Sequence, residues 1–252
     1  METDILLDLS AELGYGLMES GGEIYRVEES VQRLLAAYRV ADVEVFAIPN
    51  CITISVSGSD GQPRTRIRRV PSHGTDIDAL ERYNDLCRRL CAQTPPPVQA
   101  RAMLEEARSA RRVYRPAVLM GSYFLGAAAF CLFFGGSWLD ALCSGLCGLS
   151  MYLCQAVLAR ANPFLRTIAC GAASALLALA LSALSGERNA DLITIGALML
   201  LVPGIPFTNA IRDLMAGDTV SGLAKTAEAL LVGVAIALGT GAALWLAQLL
   251  WR

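Results

Sequence analysis

The second half of the chain carries very few charged residues, and this feature limits the possible folds more than any other. Of the 44 Asp, Glu, Lys and Arg residues, 32 lie in residues 1–115 and only 12 in residues 116–252. Charged side chains are costly inside a bilayer, so the asymmetry indicates a water-exposed domain followed by a membrane domain. The sequence therefore predicts an α+β cytosolic domain over residues 1–115 and an all-α polytopic membrane domain over residues 116–252.

The second half contains five apolar stretches of about 20 residues, the length that a helix needs to cross the hydrocarbon core. Small residues are dense in all five, which favours close helix–helix contact over isolated lipid-facing spans. We therefore expect five transmembrane helices. They are placed at Pro116–Phe134, Leu139–Leu158, Phe164–Leu184, Leu192–Ile211 and Thr226–Leu249.

Basic residues near the ends of the spans predict the orientation. An arginine-rich segment precedes the first span, and further basic residues flank the second and fourth connections. Because basic loops stay in the cytoplasm, the N-terminus is expected there, and an odd number of spans would place Arg252 outside. Asp4, Asp8 and Glu12 interrupt the early apolar residues, so no signal peptide is expected.

The first half changes from helical to extended periodicity and back. Apolar residues at helical spacing predict helices over residues 4–19 and from Glu23 onward. Three short strands follow, and arginine dominates one face of the third, which indicates a solvated or anion-facing edge. Thr75 or Asp76 then caps another helix, and a last helix covers residues 98–113. The predicted strands are Val43–Ile48, Ile52–Val56 and Arg64–Val70.

The fourth predicted span contains a break. Pro203, Gly204 and Pro206 cannot continue a regular helix, because each proline lacks an N–H and crowds the preceding turn. Interrupted helices at membrane depth survive only where protein or a water-filled cavity surrounds them, and transporters use them to bind solutes. The alternative is a helix that ends at the cytoplasmic surface.

Polar residues follow the break at helical spacing and form the predicted substrate site. Arg212 would pair with a substrate carboxylate, while Asp213 would balance or gate Arg212. Thr208 and Asn209 would hydrogen-bond an ammonium or hydroxyl group of the solute. In the alternative, Arg212 and Asp213 are ordinary interfacial charges. The predicted substrate-binding residues are Thr208, Asn209, Arg212 and Asp213.

Three acidic residues are candidates for proton coupling, because a carboxyl group that faces a protein interior is held partly protonated by desolvation. They are Glu228, Asp218 and Asp140. Glu228 is the favoured one, since it follows the polar cluster and leads into apolar sequence. The alternative for each is an interfacial residue close to water.

Other chemistries find little support. The eight cysteines form no C-x-x-C pair and His73 is the only histidine, so neither a metal site nor a cofactor is expected. The net charge of −2 gives no indication of a nucleic-acid partner. Ser72, His73 and Asp76 invite a hydrolase interpretation, but no G-x-S-x-G is present, and a polar turn with a capped helix explains them better. We therefore expect no enzymatic activity.

The whole chain resembles the bacterial threonine/serine exporter family, in particular the larger component of its two-component form. The resemblance rests on GGEIYRVEESVQRLLAAYRV, VFAIPNCITISV and ALERYNDLCRRL in the first half. In the second half it rests on residues 199–239, which read MLLVPGIPFTNAIRDLMAGDTVSGLAKTAEALLVGVAIALG.

The resemblance implies a function. It implies a cytosolic domain joined to a five-span bundle in the bacterial plasma (inner) membrane, which exports small metabolites with the proton-motive force. Substrates in the family are threonine and serine in single-chain members and succinate in a two-component relative. Single-chain relatives carry a second, smaller membrane unit, so the resemblance implies a separate small membrane subunit as partner; self-assembly into a homo-oligomer is the alternative. A membrane-anchored hydrolase and a non-transporting sensor or scaffold remain as competing functions.

Overall fold

The computed structural model describes residues 2–58, 61–110, 112–185 and 189–250. Within these residues the chain forms three β-strands and ten helices. The strands are β1 (Ala41–Ile48), β2 (Cys51–Ser57) and β3 (Pro63–Arg69). The helices are α1 (Glu2–Glu19), α2 (Ile24–Ala37), α3 (Ile77–Gln93), α4 (Pro97–Ser109), α5 (Pro116–Phe133), α6 (Trp138–Val157), α7 (Pro163–Ser185), α8 (Ala190–Leu198), α9 (Gly204–Ala216) and α10 (Thr219–Leu250).

The chain divides into two compact units that do not follow the order of the sequence. The first unit comprises Met1–Arg112 and Gly204–Ala227. The second comprises Val113–Pro203 and Glu228–Arg252. Helix α9 and the first residues of α10 therefore belong to the same unit as the amino-terminal helices and strands.

In the first unit, α1 lies at the centre. It packs against β2 and β3 on one side and against α2, α3 and α4 on the others, so apolar residues are buried around most of its circumference. Gly16 permits the approach of α3, because a Cβ atom there would lie 2.5 Å from the ring of Tyr83. The three strands form an antiparallel sheet in the order β1-β2-β3. Buried side chains of β2, among them Ile52 and Ile54, point into this core.

The arginine face of β3 is paired with α1. Arg64 contacts Asp4 at 2.5 Å and Arg66 contacts Asp8 at 2.6 Å. Arg68 lies 4.0 Å from Glu12, the third acidic residue in the same register. Alternate residues of a strand and every fourth residue of a helix repeat at about the same distance, roughly 6 to 7 Å, which allows the three pairs to stack. The face is therefore a helix–strand charge ladder.

In the second unit, glycine residues allow neighbouring helices to approach each other closely, because a side chain at these positions would clash. A Cβ atom at Gly148 of α6 would lie 2.4 Å from the backbone oxygen of Tyr123 in α5. One at Gly196 of α8 would lie 2.7 Å from Cβ of Cys131. The short helix α8 is thereby packed against α5, α6 and α7, with Ile193 and Ala197 buried.

The predicted fold class is wrong in its number of spans. Among the described residues, four helices are long and apolar enough to cross a membrane, not five. They are Pro116–Phe133, Trp138–Val157, Pro163–Leu184 and Thr219–Leu249. The described part of the chain is also predominantly helical and contains one small three-stranded sheet, so an α+β domain followed by five spans does not describe it.

The error lies at the predicted fourth span, Leu192–Ile211. Helix α8 has only nine residues and ends at Leu198, and α9 has 13 and begins at Gly204. The apolar composition on both sides of the proline break imitates a span, but α9 belongs to the first unit. Without an odd number of spans, the argument for an external Arg252 loses its basis, and Arg252 itself lies outside the described residues.

Candidate functional site

The turn between α1 and α2 offers free backbone groups to other segments. Helix α1 ends at Glu19, and the turn that follows contains Gly21-Gly22, where Gly21 has a φ of +90°. A Cβ atom at Gly21 would lie 2.4 Å from the carbonyl oxygen of Gly74, so both the conformation and the space require glycine. The loop before α3 fixes the turn, since the Gly74 N–H donates to the carbonyl of Glu19 at 3.0 Å.

Three side chains on one face of α9 contact this turn. Asn209 Nδ2 donates to the carbonyl oxygen of Gly21 at 3.1 Å. Arg212 Nη1 donates to Glu23 Oε1 at 2.9 Å. Asp213 Oδ1 accepts from the backbone N–H of Ile24 at 3.0 Å. The i, i+3, i+4 spacing of these α9 residues places all three beside residues 21–24.

Asp213 supplies the cap that α2 lacks in its own sequence. The first residue of α2 is Ile24, and the preceding Glu23 makes no side-chain hydrogen bond to the helix end. Since the first N–H groups of a helix have no intrahelical partner, the carboxylate of Asp213 satisfies one of them and meets the positive end of the helix dipole.

Lys225 of α10 completes the arrangement. Its Nζ donates to Asp213 Oδ2 at 2.8 Å and to the carbonyl oxygen of Gly22 at 3.2 Å. The side chain of Asp213 is fully buried and that of Lys225 is 11% exposed. A buried ion pair is stable only when its remaining polar atoms are also bonded, and both oxygens of Asp213 are. We call Asn209, Arg212, Asp213 and Lys225, together with residues 21–24, the clamp.

Two further carboxylates lie beside the clamp. Glu28 Oε1 accepts from the backbone N–H of Ala47 at 2.6 Å. Burial raises the pKa of Glu28, the hydrogen bond from Ala47 opposes this, and the charges of Asp218 and Asp213 raise the pKa further. Burial likewise raises the pKa of Asp218, Asp213 adds to the effect and Lys225 opposes it. Oδ2 of Asp218 is buried and accepts no hydrogen bond from the residues that the structure describes.

The remaining residues of the predicted substrate site and break lie at the start of α9. Thr208 is exposed, and its hydroxyl donates to the carbonyl of Gly204 at 2.9 Å. Pro203 immediately precedes the helix, and Gly204 is its first residue. Pro206 lies in the first turn, where a missing N–H leaves no hydrogen bond unmade.

Two of the predicted proton-coupling residues belong to the second unit. Asp140 is buried and forms a capping box at the start of α6, with Ser137 N–H donating to Asp140 Oδ2 at 2.9 Å. Asn189 Nδ2 donates to the same oxygen at 3.0 Å. Glu228 is exposed on α10. Asp218 is the candidate that lies in the first unit, beside the clamp.

Sequence reasoning assigned no site role to Lys225 or Glu28. Both act through residues far away in the sequence, so spacing gives no signal for them. One compositional signal exists, because Lys225 is the only lysine among 21 basic residues. The compact ammonium group of lysine suits the contacts that Lys225 makes with Asp213 and Gly22.

The residues of the hydrolase alternative lie in the loop before α3. Asp76 Oδ1 accepts from the backbone N–H of Ala79 at 2.9 Å and so caps that helix. Ser72 and His73 precede it in the loop. Across residues 2–58, 61–110, 112–185 and 189–250, no three His, Cys, Asp or Glu side chains are grouped as metal ligands would be.

Several helices of spanning length and composition identify a multi-pass membrane protein. The sequence model of the family described as "Putative threonine/serine exporter" matches residues 8–247. The chain therefore belongs to the threonine/serine exporter family. This is a family of transporters and not of enzymes.

Two relatives show how far the similarity extends. A Mycobacterium tuberculosis protein named "Probable threonine/serine exporter" is 25% identical over 95% of this chain and 46% of its own length. An Escherichia coli K12 protein named "Probable succinate transporter subunit YjjP" is 26% identical over 94% of this chain and 92% of its own length. The chain thus spans about half of the first relative and nearly all of the second. No solved structure matches it significantly.

Proposed function

We propose that this chain is the larger subunit of an exporter that moves small metabolites out of a bacterial cell with the proton-motive force. The substrate class is threonine and serine or a small carboxylate such as succinate. The observation that carries the proposal is the similarity to a relative named as a transporter subunit, of which the chain covers 92%. The longer relative has room for a second part, and a separate small membrane subunit would supply that part here.

The substrate carboxylate binds Arg212 in this proposal. The side chain of Arg212 is 54% exposed, and it contacts the carboxylate of Glu23. A substrate carboxylate has the same chemistry as Glu23 and competes with it for the guanidinium. Asn209 and Thr208, on the same helix, provide hydrogen bonds for an ammonium or hydroxyl group. Asp213 stays paired with Lys225 and keeps α9 in place.

The N-terminus lies in the cytoplasm of a bacterium in this proposal, and the chain spans the plasma membrane. The arginine-rich approach to α5 supports that orientation by the positive-inside rule. Residues 21–24 of the clamp then lie in the compartment from which an exporter takes its substrate. Among the three proton-coupling candidates, Asp218 has the strongest support, because it lies beside the charged residues of the clamp.

The decisive experiment is efflux from proteoliposomes that contain this chain with and without the neighbouring small membrane protein. Labelled threonine, serine and succinate are loaded, and a pH gradient is imposed. Arg212→Ala is compared with Arg101→Ala, which removes an exposed arginine of α4. Loss of a charged hydrogen-bond partner is expected to raise the KM for efflux by roughly tenfold or more. The Arg101 variant is expected to match the unaltered protein.

Each result separates the proposal from its competitors. Efflux only in the presence of the second subunit supports the two-subunit transporter. Normal efflux by Arg212→Ala overturns the assignment of the carboxylate site. Absence of efflux of all three solutes, with both subunits correctly inserted, favours a sensor or scaffold instead.

A further inference from the structure

Glu28 and Asp218 belong to separate segments of the chain, and both segments contact Asp213 of the buried Asp213–Lys225 ion pair. Glu28 lies one helical turn after Ile24 on α2, and Ile24 N–H donates to Asp213 at 3.0 Å. Asp218 follows α9 directly, and its N–H donates to the carbonyl of Asp213 at 2.9 Å. The charge of Asp213 acts on both carboxyl groups. The carboxylate of Glu28 accepts from Ala47, and Asp218 has a buried oxygen that lacks a hydrogen-bond partner among the described residues.

The charges around these two groups do not balance when all of them are ionised. Arg212 and Arg26 both form ion pairs with the carboxylate of Glu23, so they neutralise that group rather than Glu28 or Asp218. What remains near Glu28 and Asp218 is the ammonium of Lys225 and the carboxylate of Asp213. Three carboxylates then share a single ammonium. Half-buried carboxylates in this situation retain a proton, because ionisation adds repulsion to the cost of desolvation.

We propose that Glu28 and Asp218 hold one proton between them, and that this proton keeps the clamp closed. The inference rests on the proposed function, since it names the site of proton coupling. With the proton bound, Lys225 donates hydrogen bonds to Asp213 and to the carbonyl oxygen of Gly22. When the proton leaves to water, Asp218 becomes a second carboxylate that competes for Lys225, and the hold of Asp213 on both Lys225 and Ile24 weakens.

The direction of the pH dependence follows from the raised pKa values of both groups. A group whose pKa is higher in the closed clamp than in the open one favours closure at low pH. That contribution is lost as the pH rises through the raised pKa. The clamp is therefore closed at lower pH and opens as the cytoplasmic side becomes more alkaline.

The single lysine makes this testable in the complete protein. Lys225 is the only lysine side chain, so acylation by an amine-reactive reagent, followed by peptide mass spectrometry, reports the exposure of this one residue. The full chain is labelled in proteoliposomes between pH 5.5 and 8.5. The double variant Glu28→Gln/Asp218→Asn, which cannot lose the proton, gives the intrinsic pH dependence of the amine, and Asp213→Asn gives the open reference.

The ratio of labelling in the unaltered protein to labelling in the double variant is expected to rise severalfold with pH. A ratio that stays constant across the range overturns the proposal. If the double variant does not fold, which its protein level reveals, the single variants Glu28→Gln and Asp218→Asn take its place, and each is expected to reduce the rise.

Transport measurements distinguish a failure of this inference from a failure of the proposed function. The double variant is expected to exchange labelled for unlabelled substrate while no longer responding to an imposed pH gradient. If the unaltered protein moves no substrate, the proposed function fails, and the labelling result still decides whether the proton closes the clamp. If transport occurs and the double variant keeps its full response to the gradient, the coupling inference fails and the proposed function stands.

Discussion

Asp213 combines two roles that proteins usually give to separate residues. One oxygen caps α2 and the other neutralises Lys225, so a single side chain joins the α1–α2 turn, α9 and α10. Because the side chain is fully buried, neither role can pass to water if it is lost. The residue is therefore expected to be the most sensitive position of the clamp.

Asp213→Asn tests this sensitivity. Asparagine can still accept from Ile24, but Lys225 loses the carboxylate to which it donates. Breaking a buried pair in this way is expected to lower the free energy of unfolding by roughly 3 kcal/mol. Thermal unfolding of the purified protein in detergent measures the loss, with the exposed Thr208→Ala as control. Adding Lys225→Met to Asp213→Asn is expected to restore most of the stability; equal loss in both variants would contradict the ion-pair explanation.

Cys87 gives a second prediction at this scale. Burial, together with the neighbouring Cys91, raises the pKa of the Cys87 thiol to about 12. Only the thiolate reacts with alkylating agents, so at pH 8 Cys87 is almost entirely in the unreactive thiol form. Iodoacetamide is expected to modify Cys87 far more slowly than the half-buried Cys51 of β2, as followed by mass spectrometry. Similar rates would show that α3 opens readily.

Between elements, the contact of α5 with α6 depends on the absence of side-chain atoms. Gly148→Ala places a methyl group 2.4 Å from the backbone oxygen of Tyr123, and backbone cannot move aside as a side chain does. Such overpacking is expected to cost about 2 kcal/mol. Gly121→Ala in α5 is the matched control, because a Cβ atom there meets nothing within 4 Å. Equal midpoints of thermal unfolding for the two variants would contradict the close packing.

Local periodicity was sufficient to predict most elements, and it failed where two segments meet in space. Apolar residues at helical spacing predicted a helix from Glu23 onward, and α2 begins one residue later, at Ile24. The prolines at 203 and 206 predicted a break, but hydropathy placed α9 in the membrane because its composition is as apolar as that of a span. Contacts with residues 21–24 decide its position, and no pattern in sequence relates Asp213 to an N–H 189 residues earlier.

The charge ladder shows the same limit for the candidate site. Alternation revealed that Arg64, Arg66 and Arg68 share a face, but the acids that pair with them lie on α1. In the clamp, helical spacing grouped Asn209, Arg212 and Asp213 correctly on one face of α9. Their partners are backbone carbonyls and an N–H, which every residue possesses, and the sequence therefore could not single them out.

At the scale of the molecule, the first unit is built from two separated parts of the chain. A chain that ends after Pro203 lacks α9 and Lys225, so α2 loses its cap from Asp213. Tryptic cleavage at Arg26 is expected to accelerate severalfold in this shortened chain, while cleavage at Arg101 of α4 stays the same. Peptide mapping over time measures both rates. Unchanged cleavage at Arg26 would mean that residues 1–112 need no help from α9.

Ile24 and Asp213 are separated by 189 positions, and this separation determines how long after its own synthesis α2 can first be capped. Ribosomes add roughly 5 to 20 residues per second, so α2 waits about 10 to 40 seconds before Asp213 has even been synthesised. Helices α5, α6 and α7 are made during that wait. The nascent protein must therefore deliver its middle to the translocation machinery while its beginning is unfinished, and the oldest part of the molecule is among the last to reach its native form.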